Sequence, residues 1–341
     1  MIRNRNAIRL LCLFCLLVYP AINANLEAQT IIGQRNDSVS HSLIRHQLGF
    51  DIRPGYIVST HSFLQGDNMQ QKKIDQSLSF HLKYAFRFSK ESNLGRLFPH
   101  TYQGIGVSYH TFFSPVELGN PVSVYAFQGS RIAQLSPRLS LDYEWNFGAS
   151  FGWKKYDELS NPQNVLIGSK INAYINLGFL LNWQVHKYWK LAAGVDLTHF
   201  SNGNTHYPNG GLNVIGGRIG IVRTLGVDAG PGPITPRRLF IKPHVSYDLV
   251  IYGATRKRGL IGDDVSSMIP GSFGVAGINF APMYNFNNYF RAGLSADAQY
   301  DESANLKEYR VGEYYLGDLK FHRPPFREQF SVGLPLRAEL G

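Results

Sequence analysis

A histidine and a serine lie two residues apart, at His199 and Ser201, in a segment whose apolar residues alternate with polar ones. On an extended strand, residues i and i+2 leave the same face with their Cα atoms about 6.7 Å apart. At that separation an imidazole nitrogen can reach a hydroxyl group and remove its proton. The spacing is that of a general base and a serine nucleophile. Polar residues near a strand end also occur simply at a headgroup interface, and this reading stays open.

Asn213 is the candidate for the third group of such a site. It begins the next alternating segment and has the parity of Ile215 and Ile219. If the two segments pair as a hairpin over about residues 189–223, Asn213 comes beside His199. Its amide can then hold the imidazole in the tautomer that accepts the serine proton, a role more often filled by a carboxylate.

A second histidine, serine and carboxylate cluster occurs at His244, Ser246 and Asp248, which share one face of another predicted strand. Lys242 has the same parity, and the residues between them are apolar. This parity indicates a face turned toward a hydrated interior, where alternating polar residues need no catalytic explanation. The pattern therefore favours the site at His199 and Ser201.

Period-two alternation recurs along most of the chain, and it must position these residues. In residues 78–88, leucine, phenylalanine and tyrosine alternate with serine, histidine, lysine and arginine. Clear repeats of the pattern lie in 139–153, 171–185, 191–201, 213–223, 239–251 and 290–300. With weaker segments included, we predict an all-β chain of about 12 strands.

The alternation predicts a transmembrane antiparallel β-barrel. Bulky aromatic residues occur near the strand ends, as in the aromatic girdles of such barrels, and the other parity carries Lys83 and Arg218, which suit a hydrated interior. A secreted β-sandwich is the alternative, because its strands also alternate. In the barrel, a lysine is expected to be tolerated better at Asp196 than at Val195, which is assigned to the lipid face.

The N-terminus has the pattern of a cleaved signal peptide over residues 1–24, which places the barrel domain at 25–341. Three arginines precede the apolar run 10–19, and small residues follow it. Both cysteines, Cys12 and Cys15, lie in that run, so the mature chain is expected to have no thiol. Loss of the three arginines of this segment would lower the net charge from +10 to +7, and export makes this surplus more suitable for anionic lipid headgroups than for nucleic acid.

The stretch Leu197-Thr-His-Phe-Ser-Asn-Gly-Asn, followed by Pro208-Asn-Gly-Gly-Leu-Asn213, resembles the outer-membrane lipid A 3-O-deacylases, also known as acyloxyacyl hydrolase-like proteins. The specific similarity covers roughly residues 171–225. It implies that His199 is the base, that Ser201 is the nucleophile, and that the backbone N–H of Asn202 helps to form the oxyanion hole. At the position of the family's acid, a glutamate about a dozen residues after the serine, this chain has Asn213, so that either its amide or a group elsewhere in the chain orients His199. The family's barrel also has fewer than 12 strands.

The resemblance implies a serine esterase of the Gram-negative outer membrane that hydrolyses an ester-linked acyl chain of lipid A, the 3-O-linked one. Its partners would be lipopolysaccharide and membrane lipid, without nucleic acid, and its oligomeric state is left open. No metal or organic cofactor is required for this chemistry, and the histidines are too scattered for metal-ligand spacing. The alternative function is a barrel without enzymatic activity: a small porin, a transporter or a lipopolysaccharide-binding structural barrel.

Overall fold

A computed structural model describes residues 44–89, 92–225, 242–257, 259–261, 266–268, 271–287, 290–311 and 318–340. The expected signal peptide, residues 1–24, lies outside them. Eight strands close into an antiparallel barrel. They are β1 (Ile44–Ile57), β2 (Gln76–Phe88), β3 (Tyr102–Thr111), β4 (Gly119–Ser136), β5 (Leu139–Trp153), β6 (Ile171–His186), β7 (Trp189–Ser201) and β8 (Leu212–Leu225). Each pairs with its neighbour in sequence, and β1 pairs with β8.

The later strands form separate sheets. They are β9 (His244–Arg256), β10 (Gly259–Ile261), β11 (Ser266–Met268), β12 (Phe273–Asn285), β13 (Phe290–Leu294), β14 (Ala296–Asp301), β15 (Lys307–Val311), β16 (Asp318–His322), β17 (Phe330–Gly333) and β18 (Leu336–Leu340). The helical segments are short: two 3₁₀ turns at Ser62–Gln65 and Phe326–Gln329, and α1 at Asn93–Leu97. Among the described residues, no helix is long and apolar enough to cross a membrane.

The predicted fold class, an all-β chain with a transmembrane antiparallel barrel, is confirmed, but the strand count is corrected. The barrel has eight strands rather than about 12, and it occupies residues 44–225 of the expected 25–341. The physical reason is that β1 and β8 pair with each other, which leaves no barrel edge for β9. Alternation reports the faces of a strand and not its neighbours, so it could not reveal this closure.

The outer surface of the barrel is apolar. Val195 and Ile219, at the middle of β7 and β8, expose 60% and 69% of their surface, and Leu197 and Ile215 continue the same face. Closure leaves no unpaired strand edge, so this surface can lie in hydrocarbon with its backbone groups satisfied.

The barrel interior contains a network of three carboxylates and three cations. Arg218 Nη2 lies 2.5 Å from Asp196 Oδ1, and Arg218 Nη1 lies 2.7 Å from Glu144 Oε1. Lys83 Nζ contacts Asp51 at 2.8 Å and Glu144 at 3.1 Å. The sixth member, Arg53, contacts Asp51 at 2.9 Å, and all six are nearly fully buried. The charges balance, which makes burial of ions in this interior tolerable.

Side chains fill this interior. Two cavities between them measure about 30 Å³ and about 20 Å³, space for one or two water molecules each. An eight-stranded barrel is just wide enough for side chains to fill it. The interior therefore does not have the form of an open porin channel.

The ion network corrects one expectation about substitutions. A lysine at Asp196 is now expected to be tolerated no better than one at Val195, because it would remove the carboxylate that Arg218 contacts and bring two cations together. The interior parity is polar, as expected, but the charges in it are buried in pairs, and it is not hydrated enough to accept an unpaired charge.

Val195→Lys tests the outer face. We expect the substitution to destabilise the barrel by about 2–4 kcal/mol, because it places an ammonium group near the middle of the lipid-facing surface. The measurement is urea unfolding in lipid vesicles. Leu159→Lys is the matched control, since Leu159 lies in a loop and is 94% exposed. Equal effects of the two substitutions would contradict the assignment of the lipid face.

Candidate active site

The hairpin of β7 and β8 brings the predicted site residues together. His199 pairs directly with Asn213 across the two strands, and Ser201 pairs with Ala173 of β6. His199, Ser201 and Asn213 have the parity of the exposed outer face and are each half-buried, whereas Phe200 between them is buried in the interior. The candidate site thus lies on the outer wall of the barrel, near one end of β7.

A hydrogen bond joins His199 and Asn213, with 2.7 Å between Nδ1 and Oδ1. An amide oxygen only accepts hydrogen bonds, so this geometry requires the imidazole proton on Nδ1. Nε2 is then the basic nitrogen. Asn213 therefore holds His199 in the tautomer that can accept a proton from a hydroxyl group.

Ser201 projects from the same face of β7 as His199. In the described structure no hydrogen bond joins the two side chains. Hydrogen bonds between catalytic groups are often long without substrate and tighten in the reactive complex. The structure thus brings the predicted base and nucleophile to neighbouring positions of one strand face.

Gly211 fits closely against the imidazole, and the sequence interpretation missed it. Its φ is 72°, a conformation that side chains disfavour, and a Cβ there would lie 3.0 Å from Cε1 of His199. The Gly210-Gly211 pair before β8 was the available signal. A residue with a side chain would crowd the ring edge that carries Nε2, so this glycine keeps that edge open.

In the turn after Ser201, the hydrogen bonds of Asn202 differ from those expected. Its backbone N–H, predicted to face an oxyanion, donates a 2.8 Å hydrogen bond to Oδ1 of Asn209. Its side chain donates to the carbonyl of His206 at 2.8 Å. Asn209 in turn donates to Oδ1 of Asn204 at 3.0 Å. The N–H group predicted to bind the oxyanion is thus already hydrogen-bonded to Asn209, a residue for which the sequence interpretation had no role.

A well-packed end of the barrel supports this turn. The N–H groups of Gly210 and Gly211 donate to the carbonyls of Val165 and Leu166 at 3.1 Å. Leu166 and Phe200 are 1% exposed and belong to one buried apolar cluster. These hydrogen bonds and the buried apolar cluster therefore fix the backbone from which the side chains of the site project outward.

The turn also lies in a positive environment. Partial burial and the charges of Lys257 and Lys155 lower the pKa of His206. Lys257 directly follows the last residue of β9, and its backbone N–H donates to the carbonyl of Asn204 at 2.7 Å. Cations beside the site suit a substrate with an anionic headgroup.

The competing cluster has a different arrangement. His244 Nδ1 lies 2.9 Å from the carbonyl oxygen of Lys242, two residues earlier, while Ser246 accepts a 2.8 Å hydrogen bond from Asn285. Asp248 forms an ion pair with Arg291 at 2.9 Å. These residues lie on the polar face of the separate sheet that contains β9, not inside the closed barrel.

Two family models match the chain. The model of the lipid A 3-O-deacylase (PagL) matches residues 79–222, and that of the acyloxyacyl hydrolase C-terminal domain matches residues 245–340. No curated protein matches the chain in sequence.

Several solved outer-membrane barrels are distantly similar. Neisserial surface protein A is 9% identical, with a TM-score of 0.36 over 53% of this chain and 97% of its own. The outer membrane enzyme PagL is 12% identical, with a TM-score of 0.33 over 50% of this chain and 97% of its own. The N-terminal barrel domain of Pseudomonas aeruginosa OprF is 10% identical, with a TM-score of 0.29 over 52% and 96%. Nothing about activity follows from likenesses this distant.

The two family matches leave only residues 223–244 uncovered between residues 79 and 340. Both describe hydrolases of acyl esters. A closed barrel with an apolar outer surface is the form in which strands cross the outer membrane. The chain therefore belongs to the lipid A 3-O-deacylase family, as an enzyme of the Gram-negative outer membrane that hydrolyses an ester-linked acyl chain of lipid A.

Proposed function

We propose that His199, Ser201 and Asn213 are the catalytic residues, acting on the 3-O-linked acyl ester of lipid A. The observation that supports this most directly is the 2.7 Å contact between His199 Nδ1 and Asn213 Oδ1, which leaves Nε2 as the basic nitrogen of a ring on the same strand face as Ser201. The arrangement is a serine, histidine and amide triad.

The reaction proceeds in two acyl transfers. Nε2 of His199 takes the Ser201 hydroxyl proton while Oγ attacks the ester carbonyl, and the tetrahedral intermediate collapses as His199 returns the proton to the departing sugar oxygen. Water then attacks the acyl-serine and gives a proton to His199. The second collapse returns that proton to Ser201 and releases the fatty acid.

The backbone N–H of Asn202 is the proposed donor to the oxyanion in both steps. Its present acceptor, Oδ1 of Asn209, must move aside or be displaced when the charged oxygen develops. An anionic oxygen is a stronger acceptor than an amide oxygen, so the exchange favours the transition state over the ground state. Asn209 thus holds the turn in shape in the absence of substrate.

The site's place on the outer wall suits this substrate. The ester bond of lipid A lies where headgroup and acyl chains meet, and the lipid can reach the wall by lateral diffusion. Lys155 and Lys257 supply positive charge near the turn for its phosphate groups. The filled interior offers no comparable route for a lipid.

Asn213 offers a graded test of the proposal. Asn213→Ala is expected to lower the rate about 10–100-fold, as for loss of a hydrogen bond of about 1–3 kcal/mol. Asn213→Glu should retain or raise activity and move the acidic limb of the pH–rate profile to higher pH, because a carboxylate favours the protonated imidazole. The measurement is mass spectrometry of purified lipid A after incubation with each protein in detergent, across pH.

Release of the 3-O-linked chain removes the mass of one hydroxyacyl group, and the fragment masses of the product locate the sugar that lost it. Wild-type activity of Asn213→Ala with an unchanged pH profile would remove Asn213 from the site. Loss of another acyl chain would overturn the 3-O assignment and leave the ester hydrolase in place.

A further inference from the structure

Four long strands make up the sheet that follows the barrel, here called the C-terminal sheet: residues 244–256, 273–285, 290–301 and 330–340. The third strand keeps one register along its length, since Gly293 pairs with Met283 and Ala296 pairs with Phe280 without a shift. The fourth is continuous in the same way, with Leu336 opposite Leu294 and Gly333 opposite Asp297. All neighbours are antiparallel.

One face of the C-terminal sheet is apolar and uncovered. On its two edge strands, six apolar side chains of this face are 61–85% exposed. They are Tyr247, Leu249, Ile251, Val332, Leu334 and Leu336. Monomeric soluble proteins rarely expose an apolar surface of this extent.

The opposite face is polar and internally paired. Arg291 contacts Asp248 at 2.9 Å and Glu339 at 2.5 Å, and Arg337 contacts Glu339 at 2.5 Å. Apolar and polar faces thus alternate along strands of 11 or more residues, which is the pattern and length of strands that span a membrane.

Aromatic clusters lie at both ends of these strands. Phe286 packs against Tyr284 and Phe290 at ring distances of 4.8 and 5.3 Å, at the turn between the second and third strands. Phe326 packs against Tyr300 and Phe330 at 5.1 and 4.9 Å, at the opposite end. Such paired clusters match the girdles of transmembrane barrels.

The sheet nevertheless has two open edges. Within the described residues, β9 pairs only with β12, and the fourth strand pairs only with the third. Unpaired backbone groups are too costly in hydrocarbon for an open sheet to span it. The edges therefore need a partner that supplies strands.

We propose that two copies of this chain join their C-terminal sheets edge to edge and close a second, shared antiparallel barrel. A sheet of four antiparallel strands has edges that run in opposite directions, so β9 of one copy can pair antiparallel with the fourth strand of the other. Two sheets supply 4 + 4 strands, the number that closes the first barrel. Closure also covers Val250 and Tyr252, which lie on the polar face of β9 yet are 44% and 40% exposed.

Disulfide cross-linking tests the shared barrel. Within one copy the edge strands are three strand spacings apart, about 14 Å, whereas a disulfide joins Cα atoms no more than about 7 Å apart. Leu249→Cys is combined in turn with Val332→Cys, Leu334→Cys or Leu336→Cys, in the full chain with Cys12 and Cys15 replaced by alanine. We expect one combination to form a covalent two-copy product under oxidation in native membranes.

The single variants are the controls, because pairing of β9 with the fourth strand puts no two identical positions together. Light scattering of the wild-type protein in detergent should independently give two copies per particle. Linkage by Leu249→Cys alone, a three-copy covalent ring, or a wild-type particle with one copy would each overturn the proposal. Deacylation activity enters none of these readouts, so their failure leaves the proposed function untouched.

Discussion

Ser201→Ala and His199→Ala are each expected to lower the rate of lipid A deacylation by about 10³-fold or more while the barrel stays folded. Without Ser201 Oγ no acyl-enzyme can form, and without His199 the hydroxyl keeps its proton and the leaving oxygen receives none. Both side chains lie on the outer wall and are half-buried, so their truncation leaves the interior packing unchanged. The measurement is the initial rate of fatty acid release from lipid A in detergent.

The double variant distinguishes a catalytic pair from two independent contributions. Groups that act as a unit are strongly non-additive, so Ser201→Ala combined with His199→Ala should be hardly slower than either single variant. Ser246→Ala, the same change on the C-terminal sheet, should leave the rate unchanged. Loss of activity in Ser246→Ala with retention in Ser201→Ala would transfer the site to the other cluster.

The predicted site could be read from sequence because its members are local. His199 and Ser201 share a face by the two-residue period alone, and Asn213 comes opposite His199 once a hairpin joins adjacent segments. Asn209 and Gly211 were missed since neither follows from a period. Asn209 acts through the shape of an irregular turn, and Gly211 acts through the space it leaves beside a ring.

The strand count failed for a physical reason of another kind. Residues 244–256 and 290–301 alternate as barrel strands do, and the alternation is real: one face is apolar and the other polar. Which strands share a barrel depends on where a sheet closes, and closure is decided by the pairing of β1 with β8, more than 150 residues apart. The sequence could not reveal the interior ion network either, because parity placed Lys83 and Arg218 inside without showing that both contact Glu144.

Arg218→Met is expected to destabilise the barrel by about 3–5 kcal/mol, the usual cost of removing one partner from a buried ion network. The substitution leaves three carboxylates with two cations. Of the three carboxylates, Asp196 loses the closest ion-pair contacts, because Arg218 contacts it at 2.5 and 2.9 Å. Its remaining cation, Arg53, is 3.7 Å away. The measurement is the midpoint of urea unfolding in lipid vesicles.

Removing the unpaired carboxylate of Asp196 as well should restore much of the stability that Arg218→Met loses. Arg218→Met with Asp196→Leu leaves two carboxylates, Asp51 and Glu144, with the two cations Arg53 and Lys83, and this balanced set keeps its contacts of 2.8–3.1 Å. Arg223→Met is the matched control on the same strand: its guanidinium lies outside, 5.4 Å from the Trp189 ring, and its loss should cost less than about 1 kcal/mol. If the double variant proved less stable than Arg218→Met, Asp196 would be stabilising the barrel by something other than its charge pair. An unchanged midpoint in Arg218→Met would mean that water reaches the interior and solvates the carboxylates that the structure shows buried.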